Sequence, residues 1–185
     1  MSASALRAVV AALALGLGVA CASAPGPAPA PGDPGVHALA GAIASLGDAV
    51  AEDEARRAAY SLFVRSGALR GDYRMVKPAR FHNVLVNAGL RDRGLCCHFA
   101  EDLIQELLAL DLRTLEVHWA VARHGSRLRE HSSVLLVPRG ASFDDGLVVD
   151  AWRNAGELYW PRPGDDRYPW ELHPLDGDWA RLHCR

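Results

Sequence analysis

The sequence lacks a marked excess of charge of either sign, and it lacks an apolar run long enough to cross a bilayer. Twenty basic and 22 acidic residues leave a formal net charge of −2, so the basic surplus expected of a nucleic-acid-binding surface is missing. The apolar run from Ala8 to Ala20 is shorter than the roughly 20 residues that a membrane-spanning helix needs. No Cys-x-x-Cys pair is present, which removes the usual sequence sign of a zinc site.

The N-terminal segment has the features of an export signal. Arg7 precedes the apolar run, and small residues close it, as in a secretory signal peptide. The segment ends Leu-Gly-Val-Ala-Cys at Cys21, which resembles a bacterial lipoprotein signal, with Gly18 where leucine is usual. Residues 1–21 are therefore predicted to be a lipoprotein-type signal peptide with Cys21 as the lipidation site. The alternative is ordinary cleavage near Ala22 or Ala24.

A tether is predicted to follow the signal. Residues 22–35 combine alanine and glycine with five prolines, a composition that favours an extended linker over a packed core. The remaining residues, 36–185, are enough for one globular domain with a sizeable core. Together these segments predict a domain on the periplasmic face of a bacterial envelope, in contact with the membrane through its lipid anchor.

Three cysteines follow Cys21 in the chain: Cys96, Cys97 and Cys184. An oxidising compartment permits a disulfide, and an odd number of cysteines leaves at least one thiol free. One feasible arrangement is a Cys97–Cys184 bridge with Cys96 free.

The first part of the domain is predicted to be helical. Apolar residues recur at helical spacing from His37 to Ser66, and Gly47 is a candidate break between two helices. The further expected elements are a loop over Gly67–Arg74, a helix from Pro78 to Gly89 with Phe81, Val84, Leu85 and Leu90 inward, and a helix over Leu95–Asp111.

The second part is predicted to form strands. Apolar and polar residues alternate from Leu115 to Ala122, and three further short runs have strand character. These runs are Arg129–Val137, Gly146–Ala151 and Glu157–Trp160. No helix-length segment separates them, so the sheet is predicted to be antiparallel. The expected fold is α+β, with N-terminal helices packed on that sheet and an irregular tail over Pro161–Trp179.

Three residues in this arrangement suggest thiol chemistry. Cys96 follows Gly94 at the start of a predicted helix, where the helix dipole and unpaired N–H groups favour a thiolate. His131 and Asp150 follow on two successive predicted strands. A cysteine, a histidine and an aspartate in this order are typical of a nucleophile, its base and the group that orients the base.

The residues around Cys96 carry a resemblance. Gly-Leu-Cys-Cys-His-Phe-Ala, from Gly94 to Ala100, is similar to the Gly-x-Cys-Trp-x-Phe/Trp-Ala signature of transglutaminase-like proteins, a branch of the papain-like superfamily. The resemblance implies a cysteine-bearing helix packed on an antiparallel sheet. It also implies that Cys96 is the nucleophile, His131 the base and Asp150 the orienting group.

Two departures and several alternatives accompany this assignment. Cys97 stands where the signature has an aromatic residue, and Ser133 stands where a tryptophan is expected two residues after the histidine. Cys97 is a competing nucleophile about 100° further round the helix. His118 is the strongest rival base, ahead of His98 and His124.

Donors for an oxyanion hole are also sought near Cys96. Its own backbone N–H is one candidate, and the side chain of Asn83 or Asn87 is the other. Either asparagine is equally suited to capping a helix end or loop. Adjacent ligands on one helix turn do not converge readily on one ion, so no metal site is expected from Cys96, Cys97 and His98.

Two hypotheses for function follow. The first is an exported, lipid-anchored thiol enzyme of the acyl-transfer class, a peptidase, amidase or transglutaminase, acting on a peptide or envelope protein without a cofactor. The second is a catalytically inactive envelope lipoprotein that uses the same fold for binding or scaffolding.

Overall fold

The computed structural model describes residues 29–30, 32–126, 128–179 and 184. Within these residues four helices precede a four-stranded antiparallel sheet, which confirms the predicted α+β class. The elements are α1 (Pro34–Ala44), α2 (Glu52–Asp72), α3 (Ala79–Asn87), α4 (Cys96–Leu108), β1 (Leu115–Ala122), β2 (His131–Pro138), β3 (Leu147–Val149) and β4 (Trp170–Leu172). Among the described helices, none combines the length and apolar character needed to span a bilayer.

The predicted signal peptide, the lipidation site Cys21 and most of the predicted tether lie outside the described residues. Helix α1 begins at Pro34, two residues before the predicted start of the domain. Proline is favoured at a first helical position, and Asp33 caps the helix by accepting hydrogen bonds from the N–H groups of Gly35 (2.8 Å) and Val36 (3.3 Å).

The long helical run is divided as predicted, because α1 and α2 are separated by residues 45–51 around Gly47. The predicted loop over Gly67–Arg74 is wrong, since α2 continues to Asp72. Leu69 is 1% exposed in the core. Gly67 and Gly71, in the last turns, each lower the stability of an exposed helix by roughly 1 kcal/mol, and the burial of Leu69 offsets this loss.

Helix α3 begins and ends near the predicted residues but presents a different face. Leu85 is buried, whereas Phe81, Val84 and Leu90 are 40%, 48% and 42% exposed. The helix packs inward through Ala79, His82 and Leu85. Its partly apolar outer face therefore remains available to border a cleft.

The sheet has the order β3-β2-β1-β4, with helix α4 packed across β2 and β1. Every residue of β2 is buried. Strand β4 falls in the tail that was predicted to be irregular, and it pairs with the end of β1. The expected strand over Glu157–Trp160 is reduced to a single bridge between Asp150 and Tyr159. The tail thus extends the sheet beside β1, near the predicted site.

Glu54, in the first turn of α2, is a buried carboxylate that joins this helix to the sheet. It accepts hydrogen bonds from the backbone N–H of Arg113 (2.7 Å) and from the backbone N–H (2.8 Å) and hydroxyl (2.6 Å) of Thr114. Burial disfavours its charged form, but these hydrogen bonds and the charge of Arg57 hold the pKa of Glu54 below its ordinary value. The turn that leads into β1 is thereby fixed to α2.

We predict that Glu54→Ala lowers the free energy of unfolding by about 3 kcal/mol, because two backbone N–H groups of Arg113 and Thr114 lose their acceptors. Glu54→Gln, which keeps the size of the side chain, should cost less. The folded-state pKa is lowered, so the contribution of the carboxylate is present above the ordinary value of 4.5 and is lost as the pH falls through the folded value. Urea unfolding at about pH 7 and about pH 3 measures both effects. A difference between wild type and Glu54→Gln that widens on acidification contradicts this account.

Candidate functional site

Cys96 is the first residue of α4, and the turn before it requires a glycine. Gly94 has a φ of +119°. A Cβ atom there would overlap Nε2 of the buried His82. A side chain at this position is therefore excluded both by backbone conformation and by space. The close approach of the chain to His82 sets the direction in which α4 starts.

His98, in the first turn of α4, stabilises the chain segment just before the helix. Its Nδ1 atom accepts hydrogen bonds from the N–H groups of Gly94 (3.1 Å) and Leu95 (3.2 Å). Burial, together with the positive charge of Arg93, lowers the pKa of His98 to about 4, so the ring is a neutral acceptor near pH 7. His98 thus holds the helix start in place and does not compete for the role of base.

The disulfide separates the two adjacent cysteines. Cys97 is bonded to Cys184, with their Cα atoms 5.4 Å apart, and Cys96 is the free cysteine among the described residues. This is the pairing considered from the sequence. Cys96 therefore carries the thiol, and Cys97 joins the first turn of α4 to the C-terminal part of the chain.

His131 and Asp150 form a buried pair. Leu135 pairs with Val148 in the β2–β3 register. Continuing that register sets Asp150 diagonally from His131 on one face, within reach of a long side chain. Nε2 of His131 donates to Oδ2 of Asp150 at 2.6 Å, and the two residues are 2% and 1% exposed. The structure thus brings together the histidine and aspartate selected from the sequence.

Asp150 is held as a carboxylate by several donors. Its Oδ1 accepts from the backbone N–H groups of Trp152 and Arg153, each at 3.0 Å, and its Oδ2 also accepts from Nε of Arg153 at 3.0 Å. Burial opposes the charged form, but His131, the backbone N–H of Arg153 and the Arg153 charge together lower the pKa of Asp150. Asp150 therefore acts as an acceptor for the imidazole.

His131 is held in its charged form next to Cys96. Burial of the ring opposes protonation, but the charge and hydrogen bond of Asp150, followed by interactions with Cys96, raise the pKa of His131 to about 10. Its second ring nitrogen, Nδ1, has no hydrogen-bond partner of ordinary geometry within the described chain. Cys96 Sγ lies 4.0 Å from the carbonyl oxygen of Glu130, the residue before His131. Nδ1 is therefore the nitrogen available to the thiol.

Three aromatic rings surround the imidazole. The ring centroids of Trp152, Tyr168 and Trp170 lie 5.0, 4.7 and 5.2 Å from that of His131. They exclude water from the pair and fix the plane of the ring. A protonated imidazole is also favoured by the faces of aromatic rings at this range.

Arg153 and Asp166 extend the pair into the tail, and sequence reasoning missed both. Arg153 donates to Asp166 at 3.0 and 2.6 Å as well as to Asp150. Nε1 of Trp170 donates to Asp166 at 2.9 Å. The i, i+3 spacing of Asp150 and Arg153 was a weak local signal, whereas nothing local pointed to Asp166.

The rival histidines lie elsewhere. His118 pairs with Asp176 at 2.7 Å, and this hydrogen bond outweighs burial and raises the pKa of His118. The pair lines a separate cavity of about 430 Å³, and the described residues of its lining include no cysteine. His124 lies in the β1–β2 turn, where its Nδ1 atom is 3.4 Å from Oε2 of Glu130. Of these histidines, His131 is therefore the one that interacts with the Cys96 thiol.

Both asparagines selected from the sequence border a cleft of about 450 Å³ that His131 and Trp152 also line. Oδ1 of Asn83 accepts from Nε1 of Trp152 at 3.0 Å, which leaves its amide NH2 as a donor. Asn87, at the end of α3, is exposed. Asn83 is thus fixed against a residue of the site, and Asn87 lies at the cleft rim.

Comparison with protein-family models, with curated proteins and with solved structures gives no match for this chain. Within the described residues, no group of three or more histidine, cysteine, aspartate or glutamate side chains is arranged to hold a metal ion. The interpretation of the site therefore depends on its own geometry.

We predict that Asp150→Asn lowers the free energy of unfolding by about 3–5 kcal/mol, because the buried His131 loses its counter-charge and Arg153 keeps only Asp166. The raised pKa of His131 means that the pair stabilises the fold fully below pH 6.5 and that this is lost as the pH rises through about 10. The pKa of Asp150 is lowered in the folded protein. The stabilisation by the pair is therefore also lost as the pH falls below 3.8 and through the folded-state pKa of Asp150.

Urea unfolding and an NMR titration of the histidine ring protons measure these effects. In Asp150→Asn, His131 should lose its proton at a clearly lower pH than in the wild type. Asp176→Asn is the matched control, since it breaks the half-buried His118–Asp176 pair and should leave the His131 titration unchanged. A His131 titration that does not move in Asp150→Asn is incompatible with the proposed pairing.

Proposed function

We propose that this protein is an exported thiol enzyme of the acyl-transfer class and a divergent transglutaminase-like protein. Cys96 would be its nucleophile, His131 its base and Asp150 the group that orients the base. The observation that carries the proposal is the buried His131–Asp150 pair next to the free thiol at a helix N-terminus. A charged imidazole and a helix dipole both stabilise a thiolate, which is the reactive form of cysteine.

In the first step, Cys96 Sγ attacks the carbonyl carbon of the acyl donor, and a C–S bond forms as the carbonyl oxygen becomes an oxyanion. The backbone N–H of Cys96 and the amide of Asn83 are our candidate donors to that oxyanion. His131 then transfers the proton that it holds on Nδ1 to the leaving amine, and the C–N bond breaks. The products of this step are a thioester on Cys96 and a neutral imidazole.

In the second step, water or a second amine attacks the thioester. His131 takes the proton of the incoming nucleophile, the C–S bond breaks, and the Cys96 thiolate and the imidazolium are restored. Water as the acceptor makes the protein a peptidase or amidase, and an amine makes it a transglutaminase. Asp150 stays ionised in both steps and keeps Nδ1 directed towards the sulfur.

Export is part of the proposal. The Cys97–Cys184 disulfide supports it, because such bonds persist in oxidising compartments. The signal-like segment ending at Cys21 supports a lipid anchor on the periplasmic face of a bacterial envelope. Peptides and envelope proteins are then the nearest substrates, and the membrane is contacted through the anchor.

A generic acyl donor tests the chemistry before any natural substrate is known. We expect p-nitrophenyl acetate to release a burst of about one p-nitrophenolate per protein, because acylation precedes slower hydrolysis of the thioester. Mass spectrometry of the quenched protein should locate the acetyl group on Cys96. The burst should disappear in Cys96→Ser, fall strongly in His131→Ala and persist in His118→Ala, the matched histidine control.

A folded protein with a free Cys96 thiol and no burst contradicts the proposal. The alternative, an inactive envelope lipoprotein that uses this fold for binding or scaffolding, would then be preferred. Acetylation at a residue other than Cys96, with equal bursts in wild type and Cys96→Ser, contradicts it as well.

A further inference from the structure

Three arginine side chains are grouped in the lining of the cleft that contains His131. Its volume is about 450 Å³, and Arg80, Arg123 and Arg129 border it together with His131. Glu130 also lines the cleft, and its carbonyl oxygen lies 4.0 Å from Cys96 Sγ. The arginines therefore line a cleft that shares His131 with the candidate site and adjoins Cys96 through Glu130.

These three arginines are not neutralised within the described chain. Arg80, Arg123 and Arg129 are exposed and have no carboxylate partner among the described residues. Arg123 lies over the ring of Tyr168, 5.5 Å from its centroid. Arg153 differs, because it is mostly buried and engages two carboxylates. The charge of Arg153 is balanced by Asp150 and Asp166, whereas the charges of the three cleft arginines are available to a ligand.

Among the described residues that line the cleft, Glu130 carries the one carboxylate, and it is already engaged. Glu130 accepts a hydrogen bond from the N–H of Gly125, and its Oε2 lies 3.4 Å from Nδ1 of His124. It is therefore a poor neutralising partner for the three guanidinium groups. The chain as a whole carries a formal net charge of −2. The positive charge of the cleft is thus local and does not reflect a basic protein.

Apolar side chains lie in the same cleft. Val84 and Leu128 are 48% and 95% exposed and border it from α3 and from the β1–β2 connection. A ligand that combines carboxylates with aliphatic groups satisfies both the guanidinium groups and these surfaces. A peptide backbone bearing acidic side chains is such a ligand, and it also contains the acyl carbon that the proposed chemistry requires.

We infer that this cleft selects acyl donors with carboxylates close to the reacting carbonyl, and that its substrates are acidic peptides. The inference depends on the proposed function for the reaction and on Arg80, Arg123 and Arg129 for the selectivity. The guanidinium groups bind the carboxylates and raise the local concentration of anionic substrate beside Cys96.

Iodoacetate and iodoacetamide separate the charge of the cleft from the reactivity of the thiol. The two reagents alkylate Cys96 with nearly the same size and leaving group, and they differ by one negative charge. We expect the ratio of the iodoacetate rate constant to the iodoacetamide rate constant to fall about threefold for each arginine replaced by glutamine. This is the size of effect expected when one attraction between a guanidinium group and the iodoacetate carboxylate, over several ångströms in a solvent-exposed cleft, is removed. Added salt should reduce this ratio in the wild type. It should have little effect on the ratio in a variant in which Arg80, Arg123 and Arg129 are all replaced by glutamine.

The variants are Arg80→Gln, Arg123→Gln, Arg129→Gln and their combination, with Arg56→Gln as the matched control. Arg56 is exposed on α2 and pairs with Glu52, outside the cleft lining. Single variants keep the test usable if the triple variant does not fold. A ratio that is the same in wild type and the three cleft variants overturns the inference, as does an equal fall in Arg56→Gln.

Peptide protection tests the class of ligand. The probes are the blocked tetrapeptide Ala-Glu-Ala-Glu and its Ala-Gln-Ala-Gln analogue. We expect the glutamate peptide alone to slow the alkylation of Cys96 by iodoacetamide, and we expect this protection to be lost in the cleft variants. Equal protection by the two peptides, or protection by inorganic phosphate without protection by the glutamate peptide, overturns the inference.

The failure of this inference can be distinguished from the failure of the proposed function. If the p-nitrophenolate burst is missing but the ratio of the iodoacetate and iodoacetamide rate constants behaves as expected, the proposed chemistry is rejected and the anion-binding cleft is retained.

Discussion

The buried ion pair between His131 and Asp150 is the interaction on which the rest of this structure depends. Both side chains are almost completely removed from water, and two isolated charges in such surroundings would each cost several kcal/mol. The pair persists because every charged atom of Asp150 has a donor and because Arg153 connects it to Asp166. The tail, with its tyrosine and tryptophan rings, is therefore part of the site.

A second set of contacts fixes the position of the thiol. Gly94 permits the close turn against His82, His98 holds the N–H groups of that turn, and the Cys97–Cys184 bond joins it to the C-terminal part of the chain. The position at which Cys96 begins its helix is thus restricted by three separate sets of contacts. A nucleophile needs this restriction, because displacement of about 1 Å is enough to lower the rate of a positioned reaction substantially.

The sequence predicted the parts of the site that depend on local pattern. A glycine and a cysteine at a helix start, and a histidine and an aspartate on successive strands, are local signals. The structure places these residues together, although their catalytic roles remain a proposal. The α+β class followed similarly from helical spacing before Asp111 and alternation after it.

Other parts could not be predicted, because they depend on contacts between distant segments. Arg153 meets Asp166 only after the tail folds back to add β4 next to β1. The predicted loop after Ser66 was wrong because burial of Leu69 outweighs the weak helix propensity of the neighbouring glycines. His118 was a serious rival base on sequence grounds, and its own partner, Asp176, is known only from the fold.

The central proposal, that His131 activates the Cys96 thiol, is tested most directly by the pH dependence of Cys96 alkylation with iodoacetamide. We expect the wild-type rate constant to change less than about threefold between about pH 8 and about pH 6, because the proposed pairing with His131 would preserve the reactive form of the sulfur over this range. In His131→Ala the same acidification should lower the rate more than about tenfold, and in His118→Ala it should not. If wild type and His131→Ala lose reactivity in parallel, His131 does not activate Cys96, and the account of this site as a thiol enzyme is contradicted.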